Sequence, residues 1–575
     1  CSRGSAVVNV LALDQRTLLT FGGPRGPEAM QRAWLREFNA LGLQLRPQAA
    51  SKVTQFLKRC EDPNRMAEAL VENTKTYLRS RQGVVEPVID SEVIQTVIDC
   101  MVEAARNPAG VAPEDAARQG IEGLELGDGI HVYNVLRDVQ AFEYQRATRE
   151  WAPAQRGKLL PGPAQRFRIY AERYHVLLQR LLLEGGVVLE AEAAGALPGQ
   201  RVLTPVESLV GNPGRKLTLG LVTRRRDEAA RRWAIEDLHQ SYPLELGPAV
   251  SEQLLTDGCF ALAEGELRGG AFWAQRLEAP AAVPRRVSEE RDQCPQRAFG
   301  GELTEEQLRA LAASEPTSPG EGMHVVLCEL HLDSARVLER LADVFRGYEE
   351  TTPPAVYVLM GSFCSRAFLP TAEGVRAYCD GFERLKFMLR GLTNHVARGS
   401  RFLIVPGPMD PGAQTLPRMP LPSYLTADLA RDVPGVVMAS NPCRVRYFGR
   451  ELTFFRHDVL RLLRRHEVLP LRQAAGEAPS AQHARFEMVR CLLDQAHLVP
   501  LPLEESSALW AFDHALRLYP LPHAVFVGGV SQPFDCSYQE CAFCSVGPFH
   551  RDASFYAYYP ATGQLESCDV PDRAG

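Results

Sequence analysis

The segment His324-Val325-Val326-Leu327-Cys328-Glu329-Leu330-His331 runs from an apolar stretch straight into an acid and an imidazole, and the arrangement recurs along the chain. Gly361-Ser362 follows the apolar run Ala355 to Met360, Gly407-Pro408-Met409-Asp410 follows Phe402 to Val405, and Gly528-Gly529-Val530-Ser531 follows Ala524 to Val527. Short apolar runs bounded by turn-forming residues read as strands. Between them, Ser334 to Phe345 and Thr371 to Leu389 carry helical periodicity. Strand and helix in alternation predict a layered α/β architecture for this part of the chain.

Upstream, a loop rich in charge, Pro and Gly spans about 280–321. Before it come five short strand-like runs: Leu217 to Val222, Trp233 to Glu236, Tyr242 to Leu246, Cys259 to Gly265 and Gly270 to Leu277. Five short strands with turn-like gaps fit a small barrel such as an OB-fold. An amphipathic helix over Ala164 to Leu183 precedes them. Residues 105 to about 165 are rich in Ala, Gly and Pro and read as a linker with a structured patch from Val132 to Tyr144. Residues 27–104 read as helices. Their stripes are Met30, Trp34, Phe38, Leu41 and Leu45, then Val53, Phe56 and Leu57, then Met66, Leu70, Tyr77 and Leu78, then Val93, Ile94, Val97, Ile98 and Met101. This region has neither a phosphate-binding Gly-Lys-Ser/Thr loop nor a His-Glu-x-x-His motif. The expected division is a helical domain 1–104, a linker and connecting helix 105–199, a barrel 200–283 and an α/β sandwich 284–575, an α+β multidomain chain.

At about 150 residues per domain, 575 residues suggest three or four domains. A net charge of −6 gives no global nucleic-acid footprint. The local clusters Arg224-Arg225-Arg226 with Arg231-Arg232, and Arg461 with Arg464-Arg465, read as solvated faces before phosphate tracks. No apolar stretch reaches the roughly 18 residues that span a bilayer, so no membrane partner is expected. Fourteen cysteines without a compact framework suit a reducing compartment. Because the sequence starts at Cys1 and not Met, some amino-terminal residues are expected to be missing from it.

The four strand-and-loop segments resemble calcineurin-like phosphoesterases, which carry Asp-x-His, Gly-Asp, Gly-Asn-His-Asp/Glu and Gly-His-x-His at these points. Such a site needs a carboxylate bridging two ions about 3.5–4 Å apart. Ser362 stands where that bridge belongs and lacks its charge. Pro408 replaces a carboxamide ligand, and Met409 an imidazole; its thioether is too soft for Mg or Mn. Gly529 and Ser531 delete two more imidazoles. Glu329, His331 and Asp410 survive, and hydrogen bonding within an inherited loop is the role expected of them. The resemblance therefore implies an inactive phosphoesterase sandwich with no catalytic residue, cofactor or metal.

Further motifs are Thr204-Pro205-Val206-Glu207-Ser208-Leu209-Val210-Gly211, Phe260-Ala261-Leu262-Ala263-Glu264-Gly265, Asn441-Pro442-Cys443-Arg444, Ala496-His497-Leu498-Val499-Pro500-Leu501-Pro502 and Leu516-Arg517-Leu518-Tyr519-Pro520-Leu521-Pro522. With Val405-Pro406-Gly407-Pro408-Met409-Asp410-Pro411-Gly412, they make essentially the whole chain similar to the B-subunits of eukaryotic replicative DNA polymerases, the epsilon branch above all. The amino-terminal helices carry that distinction, since the epsilon branch has a bundle similar to the lid of AAA+ ATPases. The resemblance implies a nuclear, non-catalytic scaffold in leading-strand replication. Its implied partners are the carboxy-terminal cysteine-rich region of the catalytic subunit, the GINS component of the replicative helicase through the amino-terminal domain, and histone-fold accessory subunits. DNA contact within the assembly stays open. Departures are Ser545-Val546-Gly547-Pro548-Phe549, where the family tends to Asn-Pro-Gly-Ser-Phe, and His331, where an aromatic residue can stand.

Several alternatives stay open at this point. Cys536, Cys541, Cys544 and His550 have spacing that could ligate zinc, although only Cys541 and Cys544 form a compact pair and structural thiols in a hairpin are the favoured reading. Trp233, Phe260, Phe272 and Trp273 could stack single-stranded nucleic acid, with protein binding favoured because the basic loop lacks aromatic interleaving. A residual phosphodiesterase or exonuclease would use Glu329, His331 and Asp410. The scaffold could also serve polymerase delta or alpha.

Overall fold

The computed structural model describes residues 44–57, isolated positions from 70 to 98, and most of 129–571, with short breaks that include 227–230, 248–252, 291–297 and 472–478. The chain divides into two compact units, 1–125 and 126–575. In the first, the helix Pro47–Leu57 buries Ala49, Val53 and Leu57, and Gln44–Leu45 pairs in parallel with Val88–Ile89. Leu45, expected to close a helical stripe, thus lies in a strand. Arg46 precedes Pro47, and a residue before proline is held out of the helical region, so a helix cannot run through this point. Ile94 and Val97 are buried as their stripe requires, whereas most of the other stripes, and with them the lid-like bundle, lie outside the described residues.

In the second unit, five strands close on themselves: Lys216–Arg226, Arg231–Glu236, Ser241–Glu245, Ala271–Glu278 and Cys259–Arg268, the last pairing back to the first. Neighbours are antiparallel except Ser241–Glu245 beside Ala271–Glu278. The register between Cys259–Arg268 and Ala271–Glu278 shifts at Glu264/Gly265. A Cβ on Gly265 would stand 2.2 Å from the Trp273 carbonyl oxygen, so only glycine lets the strands approach here. Along Cys259–Arg268 the faces alternate: Cys259, Ala261 and Ala263 join one core, while Phe260 and Leu262 join another with Tyr174, Leu177 and Leu181 of the helix Ala164–Glu184. The first of these cores continues into Val489, Leu492 and Leu498, so barrel and sandwich share one apolar interior. Gln495 reinforces the junction: its side-chain oxygen accepts from Phe260 N and its amide donates to Phe260 O, each at 2.8 Å.

The sandwich consists of two six-stranded sheets. The first is built around parallel strands His324–Cys328, Val356–Met360 and Arg401–Val405, with antiparallel Ser554–Tyr559 beside His324–Cys328. The second contains Cys443–Tyr447, Arg450–Arg456, Ala524–Gly528, Cys541–Val546 and Phe534–Tyr538. Its outer strand is Ile130–Asn134, antiparallel to Cys443–Tyr447, so the structured patch expected from Val132 to Tyr144 begins as the edge of this sheet. Val326, Val358, Met360, Leu403, Leu452, Phe454 and Phe526 fill the space between the sheets. Helices Ala335–Glu350, Ala372–Arg390 and Ser423–Asp432 cover the first sheet through Leu341, Phe382 and Leu425. No helix among the described residues is long and apolar enough to cross a membrane.

Candidate functional site

The loops after His324–Cys328, Val356–Met360 and Ala524–Gly528 converge on one side chain that the motif reading passed over, Arg456. It ends the strand Arg450–Arg456 and is 2% exposed. Its Nε donates to Glu329 Oε1 at 3.0 Å and to the Gly361 carbonyl at 2.7 Å. Nη1 donates to Asp458 Oδ1 at 3.1 Å and to the Gly528 carbonyl at 3.2 Å, and Nη2 donates to Glu329 Oε1 as well. Asn441 fixes the strand end, its amide donating to the carbonyls of Pro406 and Arg456 while its oxygen accepts from Arg456 N. The sequence does hold a signal: an arginine closing the run Leu452-Thr453-Phe454-Phe455 is a strand-end charge, like Glu329 after His324–Cys328.

Glu329 adopts the left-handed backbone region, φ 58°, which costs a non-glycine residue about 1–2 kcal/mol. In that conformation Oε1 also accepts from Ser362 N at 3.1 Å and Ser362 Oγ at 3.3 Å, while Oε2 lies 3.1 Å from His331 Nε2. Burial works to raise the Glu329 pKa; the His331 hydrogen bond and the Arg456 guanidinium outweigh it and hold the carboxyl at about 2. Ser362 therefore serves as a donor to Glu329. Asp410 faces elsewhere: Oδ1 accepts from Phe363 N at 2.8 Å and Oδ2 from Gly407 N at 2.7 Å, pinning two loops. Burial pushes its pKa up to about 6 against those backbone donors. The carbonyl of Met409, beside the half-buried Pro408, accepts from Phe368 N. Gly529 is buried against Asp458, and Ser531 lies half-buried beyond Val530, whose N donates to Asp458 Oδ1 at 3.1 Å.

These residues do not fit a pair of divalent ions. A fixed cation already occupies the strand ends, Glu329 Oε1 is saturated by N–H and O–H donors, and the Asp410 oxygens are taken by backbone. Two further divalent charges beside a buried guanidinium would be repelled at short range. No hydrolytic step follows from this geometry.

The four zinc candidates are not brought together. Cys541 and Cys544 lie three apart on the strand Cys541–Val546 and so face opposite sides: Cys541 enters the core shared with the barrel, and Cys544 the core between the sheets. Burial pushes the Cys541 thiol up to about 12 and that of Cys536, on the adjoining hairpin strand Phe534–Tyr538, up to about 11. His550 sits apart from all three, stacked on His331 with centroids 4.1 Å apart. Among the described residues the one close group of metal-capable side chains is Glu329, His331 and His550. The aromatic candidates on the barrel are also separated. Phe260 and Phe272 are buried in different cores, Trp233 packs under Arg224, and Trp273 is exposed.

Residues 324–536 match the family of the DNA polymerase alpha/epsilon B-subunit, and residues 163–281 match DNA polymerase epsilon subunit 2-like, OB-fold domain. The DNA polymerase epsilon B-subunit of Arabidopsis thaliana is 32% identical over 408 residues, covering 69% of this chain and 75% of that protein. DNA polymerase epsilon subunit 2 of Homo sapiens is 28% identical over 565 residues, covering 94% of this chain and 98% of that protein. Among solved structures, an archaeal phosphodiesterase aligns with 43% of this chain and 98% of its own at 7% identity and a TM-score of 0.22, too low to support a structural argument. Sequence identity sustained across barrel and sandwich alike places the chain in the family of DNA polymerase epsilon second subunits, the epsilon B-subunits.

Proposed function

We propose that this chain is a non-catalytic accessory subunit of a polymerase epsilon assembly, acting in the nucleus during leading-strand synthesis through protein contacts. One observation carries the non-catalytic reading: the buried Arg456 guanidinium, paired with Glu329 and Asp458, fills the strand ends where a phosphoesterase needs two divalent ions. A fixed cation can hold the loops together but cannot generate a metal-bound hydroxide. The barrel and sandwich would clasp the carboxy-terminal cysteine-rich region of the catalytic subunit. The amino-terminal unit would tether the assembly to GINS, with histone-fold subunits as further members. Protein binding is favoured over strand binding because burial of Phe260 and Phe272 leaves the barrel short of stacking platforms.

Co-expression of the full chain with the carboxy-terminal regions of the epsilon, delta and alpha catalytic subunits tests the partner. Stoichiometric co-elution with epsilon alone is the expected result; co-elution with delta or alpha and not epsilon overturns the assignment. Manganese-dependent hydrolysis of a phosphodiester by the same preparations is expected to stay at the blank. Hydrolysis that disappears in His331→Ala refutes the non-catalytic reading.

A further inference from the structure

We infer that a pocket between the helix Ala164–Glu184 and the barrel is a docking site for an aromatic side chain flanked by arginine or lysine, carried on an extended segment of a partner protein. The pocket measures about 160 Å³, close to the roughly 150 Å³ of a cavity that takes up benzene. Leu178 of that helix, with Leu203 and Leu219, forms its floor, and all three are buried. Its mouth is formed by the short helical turns Glu190–Gly195 and Val206–Leu209 and by the turn between Arg231–Glu236 and Ser241–Glu245, where Ala191, Glu207 and His239 are exposed.

The rim decides the charge of the ligand. Glu190, Glu207 and Asp237 line the pocket, and among the described residues no lysine or arginine does. Asp237 is fixed by backbone donors: Oδ1 accepts from His239 N and Gln240 N and Oδ2 from Val206 N, each at 2.9 Å. Glu190 Oε1 accepts from Asn212 Nδ2 at 2.7 Å, which leaves Oε2, and the exposed Glu207 forms no ion pair among the described residues. Two carboxylates are therefore open to a guanidinium or ammonium, and the third adds to their field. The same charges repel a phosphate backbone, so a nucleobase is disfavoured although the floor has room for one. A second observation lies outside the pocket. Val210, two residues before Asn212, is 65% exposed and offers an apolar contact to the neighbours of the anchor. An aromatic anchor in an apolar pocket with a polar rim is the arrangement that concentrates binding energy in protein interfaces. The site concerns the barrel side alone and does not depend on which catalytic subunit the chain serves.

The test titrates the full chain into fluorescein-labelled peptides of serine and glycine with Arg-Phe-Arg at the centre, read by anisotropy. Saturable binding is expected, and replacing the central Phe by Ala, or both Arg by Glu, should weaken it at least tenfold. Ala191→Trp fills the mouth and Glu207→Arg reverses its charge. Each should weaken the Arg-Phe-Arg peptide at least tenfold while melting like the parent chain, since both positions are exposed. If Ala191→Trp alters the melting curve, Glu207→Arg decides the matter. Absence of saturable binding, equal binding of the Glu-flanked or Ala-centred peptide, or undiminished binding by Glu207→Arg overturns the site.

Discussion

Arg456→Met is expected to lower the stability of the sandwich by about 3–5 kcal/mol, because it removes one partner of a buried ion pair and strands the other. Glu329 is 2% exposed and would keep only Ser362 and His331 as donors; Asp458 Oδ1 would keep Val530 N. Stability and pH are linked through Glu329. Its folded pKa of about 2 lies below the ordinary 4.5, so its contribution is fully present above about pH 4.5 and is lost as pH falls toward 2. Without the guanidinium the carboxyl titrates higher, and protonation relieves the stranded charge. The gap between parent and variant should therefore be widest at pH 7 and narrow toward pH 4.5, as read by denaturant unfolding at each pH. Adding Glu329→Gln to Arg456→Met should recover part of the loss. A gap that stays constant with pH, or a variant as stable as the parent, would show that Arg456 is not neutralising Glu329.

Asp513→Ala is the second change with a large expected effect, again about 3–5 kcal/mol. Asp513 holds Arg173 by two hydrogen bonds, Nε to Oδ2 at 3.1 Å and Nη2 to Oδ1 at 2.6 Å, and the two side chains are 5% and 8% exposed. The pair fastens the helix Ala164–Glu184 to the turn Trp510–Leu516, joining the barrel side to the sandwich. Burial opposes the Asp513 charge, yet Arg173 and His497 overcome it and hold the carboxyl far below its usual range. Cutting the acid away leaves the Arg173 guanidinium buried and uncompensated. The companion substitution Arg173→Met should restore much of the loss in the double variant. By contrast, breaking the exposed Arg268–Glu266 pair should leave the unfolding curve nearly unchanged. An Asp513→Ala chain within about 1 kcal/mol of the parent would contradict the clamp.

The parts legible in the sequence were those fixed by local pattern. His324–Cys328, Val356–Met360 and Ala524–Gly528 are buried on both faces, so their apolar runs stand out within a residue or two of the observed bounds. The five barrel strands emerged from their apolar runs bounded by turn residues, although Lys216–Arg226 runs past Val222, where its apolar run ends, into the charged Arg224-Arg225-Arg226. What escaped depends on pairings far apart in sequence. A structured patch from Val132 was legible, but not that Ile130–Asn134 is an edge strand paired with Cys443–Tyr447, more than three hundred residues away. Arg456 is a single charge after an apolar run, and its meaning appears only when Glu329, 127 residues earlier, meets it. Strand geometry also separates residues that spacing suggests as partners, as with Cys541 and Cys544. At the site itself, the survival of Glu329 and His331 side by side was legible, but the backbone-pinning role of Asp410 and the approach of His550 were not.

Anomalous scattering from crystals of the full chain grown with manganese or zinc tests the central claim most directly. Arg456 should remain paired with Glu329, and no pair of ions should be seen at the strand ends. Two peaks about 3.5–4 Å apart at the strand ends, with the Arg456 side chain displaced, would contradict it.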